Sequence, residues 1–223
     1  MELANAIASD ISGICGGVFS IQIVPPGWIH FELTHSTLAN WLQSLVVGSY
    51  GEAGEQRSRG VEETINAPCL MPNSLFAVEY AHARCCSLVL LAHREGLIKL
   101  REPVPNTSPA FWEVIFPNPL PWLNYDGILR LDHPDERRLI GELIQVVDNI
   151  ECPDVSGSVK WEKVTLNLSQ AFEKFWSNCR IWGEVKITSP ELAQARLGLL
   201  MATQSVLKLV LEENLGVFAP LEL

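Results

Sequence analysis

Residues 75–93 read Leu-Phe-Ala-Val-Glu-Tyr-Ala-His-Ala-Arg-Cys-Cys-Ser-Leu-Val-Leu-Leu-Ala-His. Phe76, Tyr80, Ala83, Ser87 and Leu91 recur at intervals of three and four, the period of one helix face. The helix is expected to start near Asn73, and Gly96 supplies its C-terminal stop. Tyr80 and Arg84 are four residues apart and share a face of it, whereas His82 points elsewhere.

Toward the C-terminus, helical patterns continue. His133-Pro-Asp-Glu-Arg137 opens a second helix, with Pro134 suited to its first turn. Trp161, Val164, Leu168, Ala171, Phe175, Cys179 and Trp182 keep three-four spacing along a long amphipathic helix. Thr188-Ser-Pro-Glu191 has the form of a capping box and starts a last helix, expected to run to about Glu213 before Gly216 ends it. Residues 97–130 break the pattern. Pro103, Pro105, Pro109, Pro117, Pro119 and Pro121 exclude a long helix there. Phe111, Trp112, Phe116 and Trp122 mark an aromatic insertion expected to pack on a helical bundle.

Toward the N-terminus the periods change. Leu3, Ile7, Ile11 and Ile14 lie on one face of a short helix ended by Gly16-Gly17. Phe19, Ile21 and Ile23 then alternate with Ser20 and Gln22, as in a half-buried strand. Pro25-Pro26-Gly27 makes a turn, and Trp28–Leu33 reads as a second strand. Thr34 or Ser36 is placed to cap a helix carrying Leu38, Trp41, Leu42 and Leu45. From residue 48 to 67, Gly48, Gly51, Gly54 and Gly60 sit among polar residues, as in a solvated linker. The expected organisation is mainly α: a partial α+β domain over 1–47, a linker over 48–71, and a helical bundle over 72–223 with the insertion at about 97–130.

With 48% apolar residues, the 223-residue chain can build a real core. Its 16 basic and 26 acidic residues give a net charge of −10, which argues against tight, nonspecific nucleic-acid binding and against DNA as a partner. Residues 1–71 carry 2 basic and 7 acidic residues and residues 72–223 carry 14 and 19, so each part is at −5. No uninterrupted apolar run approaches the roughly 20 residues that cross a bilayer, so no membrane is expected. Met1-Glu2-Leu3 lacks the basic start of a signal peptide. The expected location is the cytoplasm. The cysteines (Cys15, Cys69, Cys85, Cys86, Cys152 and Cys179) form no C-x-x-C pair and read as reduced thiols, most of them buried.

Tyr80-Ala-His-Ala-Arg84, followed by Cys86 and Ser87, resembles the first helix of the anticodon-binding domain of arginyl-tRNA synthetases. Leu131-Asp-His-Pro-Asp-Glu-Arg-Arg-Leu139, Leu168-Ser-Gln-Ala-Phe172, Asn178-Cys-Arg-Ile181, Ala195-Arg-Leu197, Val206-Leu-Lys208, Leu215-Gly216 and Ala219-Pro220 resemble the rest of that domain. Pro26-Gly-Trp-Ile-His-Phe-Glu-Leu33 looks like the end of the family's N-terminal tRNA-contacting domain. In the family the catalytic domain separates these parts; here only roughly two dozen residues do. No His-x-Gly-His tetrapeptide, Lys-Met-Ser-Lys-Ser-like loop or P-loop is present, so aminoacylation is not expected. The family commonly ends Ala-Pro-Glu-Arg-Met, whereas Ala219-Pro-Leu-Glu-Leu223 has lost the arginine and gained an acid.

The resemblance implies a noncatalytic synthetase paralogue that binds tRNA near the anticodon, with no cofactor and no metal. The candidate RNA-binding residues are Tyr80, His82, Arg84, Asn178, Arg180 and Lys208. Tyr80 would stack on a base and Arg84 meet phosphate. Asn178 and Arg180 flank Cys179, which the helical stripe turns inward, and Lys208 follows the family's Val-Leu-Lys pattern. Against this stand internal hydrogen bonding, capping, ion pairing and simple solvation of the same side chains. His82, Cys85, Cys86 and His93 do not all share one face, which argues against a metal site, and the resemblance explains them without a Cys-His nucleophile at Cys86. The alternative function is a protein-interaction module that kept the fold and lost RNA binding, suggested by the acidic balance, the altered terminus and the aromatic insertion. A small-molecule enzyme has only scattered His and Cys residues in its favour.

Overall fold

The computed structural model describes residues 2–48, 72–101, 112–152 and 159–223. The linker beyond Gly48, Cys69, Pro103, Pro105, Pro109 and Phe111 lie outside them. The chain divides into two units: residues 1–41 with 123–129, and residues 42–122 with 130–223.

The first unit follows the sequence periods. α1 (Glu2–Ile14) precedes β1 (Phe19–Val24) and β2 (Trp28–Leu33), which pair antiparallel with Phe19 opposite Leu33 and Val24 opposite Trp28. α1 packs on this hairpin through Ala4 and Ala8, which are buried. Of the stripe Leu3, Ile7, Ile11 and Ile14, Ile11 is half-buried and the other three are exposed. Small alanines let the helix approach the sheet closely, and the larger residues take the outer side. α2 (His35–Val47) is capped by Thr34, whose Oγ1 accepts from the Thr37 amide at 3.3 Å and donates to the Gly17 carbonyl at 2.9 Å. The unit division runs through α2.

The second unit is the helical bundle: α3 (Pro72–Arg94), α4 (Pro134–Glu151), α5 (Trp161–Asn178), α6 (Glu184–Thr188) and α7 (Pro190–Leu209), closed by a π-helical turn at Val210–Asn214. α3 packs on α5 and α7, and α4 packs on the same two helices. Leu139, Leu143, Leu168, Phe172, Phe175, Leu197 and Leu200 meet in the core, each fully or almost fully buried. Each such side chain contributes about 1.5–3 kcal/mol relative to exposure. By length and composition Ser74–Arg94 suffices to cross a membrane, yet 50% of it is buried inside the fold, as a core helix requires.

Three local expectations are corrected. The stripe Phe76, Tyr80, Ala83, Ser87 and Leu91 is not one buried face of α3: Ala83 is buried with Val78, Ala81, His82, Cys85, Cys86, Leu88, Val89 and Ala92, Leu91 is half-buried, and Phe76, Tyr80 and Ser87 are exposed. α5 stops at Asn178, so Trp182 belongs to the following turn, where Gly183 at φ 75° redirects the chain into α6. The Thr188–Glu191 capping box does not form: Ser189 makes no side-chain cap bond, and the Thr188 hydroxyl donates to Glu184 O within α6. The box appears on α4. There His133 Nδ1 accepts from the Asp135 amide at 3.2 Å and Glu136 Oε2 from the His133 amide at 2.8 Å.

Of the insertion, residues 97–101 and 112–122 belong to the bundle unit; of its expected aromatics Trp122 is buried there, Phe116 is exposed and Phe111 lies outside the described residues. β3 (Lys99–Leu100) pairs with β4 (Val114–Phe116), and the chain then brings Leu120 and Trp122 into the interior at 3% exposure each. Trp122 Nε1 donates to Gln43 Oε1 at 2.9 Å, and the Leu120 amide donates to the same oxygen at 3.1 Å. Both side chains press on Gly198 of α7: a Cβ there would lie 2.5 Å from the Trp122 ring and 2.7 Å from Leu120.

Candidate nucleic-acid interface

On the outer face of α3, Phe76 and Tyr80 are stacked with ring centroids 6.3 Å apart and planes at 25°. Tyr80 is 45% exposed. One turn on, the Arg84 guanidinium lies over the Trp176 ring of α5, 5.3 Å from its centroid. Trp176 in turn meets Trp182 edge-on at 5.7 Å. The shared face expected for Tyr80 and Arg84 is therefore present, and two tryptophans extend it. Phe76 and Tyr80 are exposed while Trp176 and Trp182 are half-buried, and exposed rings beside a cation are what stacking on unpaired bases and pairing with phosphate require.

The turn that carries Trp182 is held from two sides. Asn178 Nδ2 donates to Asp135 Oδ2 on α4 at 2.8 Å. Arg196 of α7 donates through Nη1 to the Arg180 carbonyl at 2.7 Å and through Nε to Glu136 at 2.6 Å. Glu136 is 1% exposed and also serves the α4 cap, so this ion pair is an interior strut. Asn178 thus commits its amide to a structural tie, while the Arg180 side chain reaches solvent.

His82 corrects the candidate set. It is fully buried and cannot touch RNA in this fold. Its Nδ1 is 2.8 Å from the Pro220 carbonyl, and its Nε2 is 3.1 Å from the Gln204 amide nitrogen. Gln204 can only donate through that nitrogen, so Nε2 accepts and Nδ1 carries the proton that Pro220 O receives. The neutral ring thereby ties the segment after the π turn to α3. Burial lowers the His82 pKa, opposed by the Pro220 bond and aided by the Lys208 charge. Lys208 is half-buried, close enough to His82 for that effect. Cys86 Sγ sits 3.8 Å from the same ring, and burial pushes its thiol up to about 12. That thiol is no nucleophile near neutral pH. His93 is elsewhere, accepting from the Leu100 amide at 3.2 Å. Among the described residues, no three His, Cys, Asp or Glu side chains gather as metal ligands.

Trp176 and Trp182 had not been singled out as site residues from the sequence. Trp176 follows the buried Phe175 by one position, about 100° round the helix from the apolar stripe. A tryptophan off the stripe is the signal.

Comparison with known proteins bears on the same region. The family model described as DALR anticodon binding domain matches residues 78–223. An arginine–tRNA ligase of Synechococcus sp. (strain JA-3-3Ab) is 32% identical over 149 residues, which is 66% of this chain and 22% of that protein. The arginine–tRNA ligase of Ruminiclostridium cellulolyticum is 30% identical over 149 residues, with the same coverage of each chain. The chloroplastic/mitochondrial arginine–tRNA ligase of Arabidopsis thaliana is 30% identical over 138 residues, 61% of this chain and 17% of that protein. The matches span about a fifth of the length of these relatives. No solved structure matches the chain significantly.

Proposed function

Since this chain belongs to the DALR anticodon-binding domain family, we propose that it is a noncatalytic relative of the arginine–tRNA ligases that binds tRNA around the anticodon. The observation that carries the reading is the row of exposed Tyr80 and Arg84 with half-buried Trp176, with Trp182 behind it and Arg180 on the adjoining turn. Rings of this kind stack on splayed bases of any identity, and the two arginines supply phosphate contacts. Lys208 contributes charge from α7 rather than a stacking surface. The noncatalytic part rests on the sequence between the hairpin unit and the bundle, which has room for a linker but not for an adenylating domain. The absence of the family's nucleotide-handling motifs from this sequence agrees.

The net charge of −10 sets the expected strength. Binding should be modest and should weaken with salt only in proportion to the few phosphates neutralised against a repulsive background. The test is titration of total tRNA into the purified chain at low and moderate salt, repeated with Arg84→Ala and Arg180→Ala. Saturable binding that weakens with salt, and roughly tenfold with Arg84→Ala, supports the reading. No saturable binding at low salt overturns it and leaves the protein-interaction alternative.

A further inference from the structure

Residues 1–41 and 123–129 contain Glu2, Asp10, Glu32 and Asp126 but no lysine or arginine. This unit therefore has no fixed side-chain cation with which to hold a phosphate backbone. Its exposed surface is apolar instead. The hairpin register puts Phe19, Ile21, Ile23, Ile29, Phe31 and Leu33 on one face; the other carries Ser20, Gln22, His30 and Glu32, with Val24 and Trp28 beside the turn. On the apolar face the isoleucines are half-buried, whereas Phe31 is 48% exposed and meets the edge of Phe19 at 6.0 Å. The outer residues of α1 add to this surface, with Leu3 74% exposed.

The hairpin also has a free edge. The Thr34 amide donates to the Val18 carbonyl at 3.0 Å. Antiparallel alternation then makes 20/32 and 22/30 hydrogen-bonded pairs and turns the amides of Ile29, Phe31 and Leu33 outward along β2. Among the described residues no third strand pairs with that edge. A two-stranded sheet with one apolar face is marginal alone and is a template for a further strand.

We infer that the outer edge of β2 receives an extended segment of a partner protein, apolar at every second residue and bearing lysine or arginine at the residues between. Such a strand continues both faces at once. Its apolar side chains extend the Phe19–Phe31 face, and its cations fall beside Glu32 on the other. Charge decides among occupants. RNA meets carboxylates and no lysine or arginine, and a second copy of this unit brings the same carboxylates with no lysine or arginine to match them. Only a basic strand complements the surface.

The test is to pan a display library of random 12-residue peptides against the full chain, with Phe31→Ser and Glu32→Lys in parallel. Both sites are exposed, so neither change removes core packing. The expected result is enrichment of peptides alternating apolar and basic residues. Their binding should fall at least tenfold on either variant, and the amides of Ile29, Phe31 and Leu33 should exchange more slowly when they bind. Failure to enrich any peptide that distinguishes the variants overturns the inference. So does enrichment of acidic sequences. A chain dimer abolished by Phe31→Ser would assign the edge to a second copy, and protection of the same amides by tRNA would assign it to RNA; either overturns the basic-strand assignment.

Discussion

Gly198 is the position where a single methyl group is most informative. A Cβ built there lies 2.5 and 2.9 Å from the Trp122 ring and 2.7 Å from Leu120, against an ordinary contact of 3.4–4 Å. Trp122 would have to withdraw by roughly 1 Å. It is not free to do so: it is 3% exposed, and its Nε1 bond to Gln43 at 2.9 Å would stretch beyond hydrogen-bonding distance. Overpacking costs about 1–3 kcal/mol and the lost bond about 1 kcal/mol. Replacing glycine within a helix returns about 1 kcal/mol. Gly198→Ala should therefore destabilise the bundle by about 1–3 kcal/mol, lowering its melting temperature by roughly 2–4 °C per kcal/mol. Gly141 on α4 is the internal control. It is exposed, and a Cβ there meets nothing within 4 Å, so Gly141→Ala should stabilise by about 0.5–1 kcal/mol. The assay is urea unfolding of both variants, with Gly198→Ala repeated in a Trp122→Leu background. There its cost should fall by at least half. If Gly198→Ala stabilises the wild-type chain, or costs as much without the indole, the packing argument is refuted.

Three further outcomes are expected. Arg196→Met strands the buried Glu136 carboxylate and should cost about 3–5 kcal/mol, whereas Glu136→Gln, which keeps an acceptor for the α4 cap, should cost less; chemical denaturation measures both. The His82 pKa is depressed below its ordinary 6.5, so as pH falls below 6.5 the unfolded chain takes up the proton first and stability is lost toward the folded pKa. Above 6.5 the ring is neutral in both states and its contribution no longer changes with pH, and His82→Gln should flatten the acid side of a stability–pH curve recorded between about pH 5 and 7.5. Trp176→Ala should weaken tRNA binding roughly as much as Arg84→Ala does, and the double variant should lose less than the sum, because the two side chains act as one contact.

Strong local signals made the first unit readable. The period-two run at Phe19–Ile23, the Pro-Pro-Gly turn and the Thr34 cap each act over a few residues, and α1, β1, β2 and α2 all form where they point. α3 was harder. Every residue from Cys85 to Ala92 is apolar or small, so periodicity finds a helix there but cannot orient it. Packing on α5 and α7 chose Val78, Ala81, His82 and Cys85 for the inside. The end of α5 was missed because Cys179 and Trp182 still turn toward protein after the helix has stopped. The true capping box was missed because His133 is not a usual cap residue. The π turn at Val210–Asn214 has no local signature. Within the site, Tyr80 and Arg84 were legible from their four-residue spacing. The role of His82 was not, since its partners Gln204 and Pro220 lie more than a hundred residues away.

Arg84 carries a consequence for how a ligand would be met. An unrestrained arginine samples many rotamers, and ordering it on binding costs up to about 2 kcal/mol of entropy. Here the guanidinium already rests on Trp176 in the free protein. The fold has set its direction in advance, so an arriving phosphate finds a donor in place and the entropic cost of association is smaller. Removing the indole would leave the charge where it was in sequence and scatter it in space. The loss would register in the entropy of binding more than in its enthalpy.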